Sequence, residues 1–75
     1  MNNQRRKQIA KVIGMLEEAV GLVDEIHSEE GDAFDNMPES LQESERGQAS
    51  SEAVDALGES RDAIEEALSA LEGID

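Results

Sequence analysis

The sequence predicts an all-α protein: an antiparallel helical hairpin with a structured elbow, assembling into an oligomeric helix bundle. Three observations carry this. Apolar residues recur with alternating spacings of three and four in two long stretches. The only proline sits between those stretches, in a run of turn-forming residues. No cysteine, tryptophan or tyrosine, and a single phenylalanine, are available to build a core in 75 residues. A chain this short buries a limited fraction of its surface, and without disulfides or thiolate metal sites the remaining staple is self-association.

The first helix is predicted over about 4–36. Ile9, Ile13, Leu16, Val20, Val23, His27, Glu30, Phe34 and Met37 form a heptad seam. Beside it run Val12, Ala19, Ile26 and Ala33, each seven apart, and Met15 and Leu22 widen the apolar face further. That arc is too wide for one partner helix and fits contacts on two sides. Gly14 and Gly21 lie on the opposite, more polar side, where each costs about 1 kcal/mol of helix propensity relative to alanine. They are either neutral positions or a groove for close backbone approach.

The elbow is predicted over about 36–47. Pro38 suits the first turn of a new helix, with Asn36 or Asp35 near a cap position, and the residue before proline disfavours the helical region. A short helical turn through Leu41 follows. Gly47 with Ser50-Ser51-Glu52 marks a second expected joint.

The last helix is predicted over about 48–72, in a single domain spanning 1–75. Val54, Leu57, Arg61, Ile64, Leu68 and Leu71 form its seam, flanked by Ala49, Ala56, Ala63 and Ala70 and by Ala53, Ser60 and Ala67. Small columns let helices approach closely. Glu52, Glu59 and Glu66, with Asp55 and Asp62, line the outer face, and Gly73 is the C-terminal stop.

The net charge is −13, and it is unevenly placed. Four of the six basic residues, Arg5, Arg6, Lys7 and Lys11, precede every one of the 19 acids. A surface this negative repels nucleic acid and anionic lipid, so neither is an expected partner. No apolar run reaches membrane-spanning length and no signal peptide is legible, so a cytoplasmic protein is expected. In a hairpin the basic start lies beside the acidic end, where Glu65, Glu72 and Asp75 are its expected ion partners.

No catalytic set is legible. There is no Cys–His pair and no phosphate-cradling loop, and Asp24-x-x-His27 departs from the Glu-x-x-His of helical di-iron sites. The chain reads as a non-enzyme with no cofactor and no metal. His27, Glu30 and Arg61 interrupt the seams. With a turn near 44, Arg61 falls opposite His27 and within reach of Glu30, either as a polar layer that sets register or as a pocket facing an anion. In the elbow, Asn36, Gln42, Ser44 and Arg46 gather donors and acceptors that helix patterning does not require. Arg46 is either a cap and ion-pair residue or an anchor for a carboxylate or phosphate. Asn36, Gln42, Ser44, Arg46 and Arg61 are the candidate ligand-binding residues.

The run Phe34-x-Asn36-x-Pro38-x-x-Leu41-Gln42-x-Ser44-Glu45-Arg46-Gly47, followed by the Ala/Glu/Leu helix, resembles small acidic proteins encoded by bacteriophages and prophages. The resemblance covers most of the chain, and the elbow is its specific part. It implies a phage origin, action in the host cytoplasm and a counter-defence role. The first form of that role is a homo-oligomeric sponge, analogous to anti-CBASS and anti-Thoeris sponges, that sequesters a cyclic nucleotide or ADP-ribose-type immune signal. The alternative is an acidic DNA mimic or anti-CRISPR-type inhibitor that binds a host defence protein. A second alternative is a structural or regulatory oligomerisation module.

Overall fold

Three helices account for nearly all of the computed structural model, which describes residues 1–74: α1 (Asn3–Asp35), α2 (Glu39–Gln42) and α3 (Glu45–Glu72). No strand occurs among the described residues. α1 packs along α3 in antiparallel fashion, and the four-residue α2 packs on α3 at the elbow. The Cα positions span 58 × 14 × 14 Å, with a radius of gyration of 17.1 Å. A compact chain of this length would have about 11 Å, so the molecule is a rod two helices thick. No helix among the described residues is long and apolar enough to cross a membrane.

Local chemistry begins each helix but does not hold it. Asn2 caps α1, its Oδ1 accepting from the Arg5 N–H at 2.8 Å. The charges at both ends of α1 then oppose its macrodipole. Arg5 and Arg6 sit in the first turns and Asp32 and Asp35 in the last. Each such placement costs a few tenths of a kcal/mol, or about 1 kcal/mol at most. Packing along the seam offsets this. The predicted seam residues of α1, from Ile9 to Phe34, are half-buried, as are Val54, Leu57, Ile64 and Leu71 of α3. The burial is shallow. Leu68, at 9% exposed, is the one buried hydrophobic side chain among the described residues, and no side chain there is fully enclosed.

Several expectations are corrected. α3 begins at Glu45 rather than 48, and no joint occurs at Ser50–Glu52, which lie inside that helix. Ser44 supplies the cap that starts it early, its Oγ accepting from the Gly47 N–H at 3.3 Å. Asn36 does take a cap position, as the C-cap of α1, while Pro38 sits at the N-cap of α2 rather than within its first turn. Arg5, Arg6 and Lys7 form no ion pair with Glu65 or Glu72. The expected pairing with Asp75 lies outside the described residues. A β-carbon on Gly14 or Gly21 would meet nothing within 4 Å, so these positions make no close approach within the chain.

The pairing also fixes which flanks of the two helices share a side of the rod. Arg61 reaches both Asp24 and Asp62, so the Asp24 flank of α1 and the Asp62 flank of α3 lie together. The opposite flanks therefore lie together as well. On that second side are Val12, Met15, Leu22 and Ile26 of α1 and the alanine columns of α3.

Candidate functional site

The elbow is built from helix ends tied to one another. At the end of α1 the Asn36 N–H donates to the Asp32 carbonyl at 3.0 Å, and the Met37 N–H donates to the Phe34 carbonyl at 3.1 Å. Pro38, with φ −56° and ψ 147°, turns the chain. Its carbonyl then accepts from the N–H groups of Leu41 at 2.8 Å and Gln42 at 3.0 Å. The Gln42 side chain reaches back, Nε2 donating to the Phe34 carbonyl at 3.0 Å. The Ser44 hydroxyl donates to the Leu41 carbonyl while it caps α3. Gly47 sits against this knot. A β-carbon there would lie 2.3 Å from the carbonyl oxygens of both Leu41 and Gln42, so only glycine lets α3 start so close to α2.

Of the four elbow candidates, Gln42 thus spends its amide Nε2 and Ser44 its hydroxyl on the fold, and Asn36 serves as an exposed cap. Arg46 is exposed in the first turn of α3 and has no hydrogen-bond or ion partner among the described residues. Arg61 lies fifteen residues further along α3, about 22 Å by helical rise. The elbow set and Arg61 therefore do not form one site.

Midway along the rod the seam carries polar contacts. The Arg61 Nη1 lies 3.3 Å from the Asp24 Oδ1, and its Nη2 lies 3.3 Å from the Asp62 Oδ1. Its side chain is 30% exposed. The hydrogen bond with Asp24, then that with Asp62, raises the guanidinium pKa above its ordinary value. A cation shifted upward keeps its contribution at every pH below the ordinary value and loses it only above the raised one. Arg61 therefore stays charged throughout the physiological range. The expected Arg61–Glu30 contact is not made. Glu30 instead accepts from the Ser50 hydroxyl at 2.8 Å, and Ser50 is 8% exposed. His27 packs over Gly58, whose absent side chain leaves room for the imidazole, a β-carbon there lying 3.4 Å from Nε2. The sequence pattern marks Ser50 as part of a joint and gives no role to Gly58, although extending the α3 seam back by one heptad step from Leu57 reaches Ser50.

Two open clefts lie at the far end from the elbow. One, of about 250 Å³, is lined by Met1, Arg5, Gln8, Ile9, Val12 and Leu71. The other, of about 340 Å³, lies across Ile9 and Leu71 towards Arg6, Ala10, Ile13, Glu72 and Ile74. None of the five candidate ligand residues lines either cleft. Among the described residues no group of three or more His, Asp or Glu is placed to hold a metal ion, and the Asp24 carboxylate is already turned to Arg61.

What the arrangement offers is surface. The Glu18, Glu25 and Asp32 column of α1 and the Glu52, Glu59 and Glu66 column of α3 are exposed along opposite edges of the rod. Glu17, Asp55 and Glu65 are exposed on the side that holds Asp24 and Asp62. Seven-residue spacing sets successive carboxylates in a column about 10.5 Å apart. No protein-family model, no curated protein and no solved structure matches the chain.

Proposed function

We propose that the chain is a non-enzymatic binding protein that presents its carboxylate-lined edges to a basic protein surface, in the manner of an acidic inhibitor of a nucleic-acid-binding protein. The observation that carries this is the solvent-facing charge. Among the described residues Arg61 is the one cation ion-paired to acids, and it engages only Asp24 and Asp62. The outward columns keep their negative field for a partner. Such a field steers association with a cationic channel and excludes anionic competitors. The elbow's resemblance to phage-encoded acidic proteins extends the reading to a host defence protein as target, met in the host cytoplasm.

The test immobilises the chain and challenges it with bacterial lysate at about 50 mM and about 500 mM salt, with and without duplex DNA. A nucleic-acid-binding protein is expected to be retained at low salt and released by either high salt or DNA. Replacing Glu52, Glu59 and Glu66 together by glutamine should weaken retention. Retention indifferent to salt and to DNA sinks the reading, as does the absence of any retained basic protein.

A second reading, the nucleotide sponge, is favoured by one observation: Arg46 is exposed and unpartnered among the described residues, at the N-terminal turn of α3 where the helix dipole also attracts anions. Cyclic dinucleotides, cyclic trinucleotides and cyclic ADP-ribose isomers would then raise the melting temperature of the chain but not that of Arg46→Ala. A flat response to all of them removes this reading.

A further inference from the structure

The side of the rod opposite Asp24 and Asp62 is poor in acids to a degree the composition does not explain, and its two basic residues, Arg5 and Arg46, stand near the ends of the rod. Acids make up 19 of the 75 residues. Yet the two flanking columns of α1 on this side, from Met1 to Ala33, contain one acid, Glu29, and those of α3, from Arg46 to Ala70, contain none. α1 places its large apolar residues here: Val12 is 42% exposed, Met15 53%, Leu22 56% and Ile26 46%. α3 places almost nothing but alanine beside them, and these alanines are mostly exposed. A surface whose job was solubility would carry charge along the middle of this side, between Arg5 and Glu29 of α1 and beyond Arg46 of α3, as it does elsewhere.

The area points the same way. The chain exposes 5555 Å², whereas a compact monomer of 8.1 kDa exposes about 4,500 Å². The excess is comparable to the roughly 800 Å² that each partner contributes to a specific interface.

We infer that this side is the interface between two copies of the chain, with α1 of each copy laid over α3 of the other to give an all-antiparallel four-helix bundle. The face is self-complementary. A row of large side chains runs beside a row of small ones, and a two-fold axis parallel to the rod sets large over small twice. That is what an isologous contact requires. It is also the side on which two chains of charge −13 meet with least repulsion. Heights along the rod carry over from the hairpin. Just as Asp24 stands level with Arg61 within a chain, Leu22 of one copy stands level with Ala63 of the partner subunit. This association does not depend on a basic target or a nucleotide being found.

Native mass spectrometry of the full chain should give twice the monomer mass, and the melting temperature should rise with chain concentration. Leu22→Glu with Ile26→Glu should halve the mass. Ser28→Glu with Ser69→Glu, the same added charge on the opposite side, should leave it doubled. Mixed Leu22→Cys and Ala63→Cys proteins should oxidise mainly to the mixed disulfide. A monomer whose melting temperature is independent of concentration overturns the inference, even if the glutamate variant fails to fold. So does a dimer that survives the paired glutamates, and a preference for either homodisulfide overturns the helix pairing.

Discussion

The two long sides of this rod are made from the same helices and differ in almost everything else. One carries Glu17, Asp24, Asp55, Asp62 and Glu65, the four glycines Gly14, Gly21, Gly31 and Gly58, and no row of large apolar side chains among the described residues. The other carries Val12, Met15, Leu22, Ile26 and rows of alanine, with a single acid. Helix propensity favours the alanine side over one that carries glycines and aspartates, but it does not choose between alanine and glutamate, both good helix formers. What differs is the medium each is composed for: water and charged partners on one side, a second helical layer on the other. With one buried hydrophobic side chain among the described residues, the seam alone gives neither side a reason for its composition.

The largest expected effect comes from disturbing both sides at once. Gly47→Ala forces a β-carbon to within 2.3 Å of two backbone oxygens, so α3 must shift and both sides lose register with α1. Overpacking of this kind costs about 3 kcal/mol, and thermal melting followed by circular dichroism should show a fall of more than about 10 °C. A smaller effect of opposite sign tests whether the charged side is free. A β-carbon on Gly14 or Gly21 meets nothing, so the double alanine variant should gain up to about 1 kcal/mol per site. Its melting temperature should rise by about 8 °C with no change of mass. A loss would mean that a partner helix sits against those glycines and that the two sides have been assigned the wrong way round. The smallest effect concerns the seam between the sides. Arg61→Leu exchanges a surface ion pair for apolar contact with α1, and exposed pairs of this kind hold little stability. The melting temperature should therefore rise by about 4 °C. A fall would show that the arginine does more than mark register.

Much of the fold was legible because a heptad seam is a direct record of burial. Ile9 to Phe34 and Val54 to Leu71 are the residues that face each other, and the break at Pro38 follows from backbone sterics. The elbow was harder to read. Gln42 and Ser44 looked like surplus polarity, and Gly47 like a joint, because their use depends on Gln42 reaching back to Phe34 and on α2 packing against the start of α3, contacts that spacing does not encode. The same short helix moves the turning point. Glu30 finds Ser50, and Arg61 finds Asp24, where a simple turn near 44 would have matched Arg61 with Glu30. Of the candidate site, Arg46 is the residue whose charged group stays wholly unused among the described residues, since capping and ion pairing draw on the same donors as ligand binding.

The knot at the elbow also sets the order in which the chain closes. Gln42 to Phe34 and Gly47 to Ser44 are contacts between near neighbours in sequence, whereas Ile9 and Leu71, which share a cleft at the open end, are some sixty residues apart. Loop closure costs least where the loop is shortest, so the two arms pair outward from the elbow, each turn bringing the next within reach. Amide protection should be greatest beside Gly47 and decline towards Met1 and Glu72, leaving the open end as the first part of the hairpin to come apart.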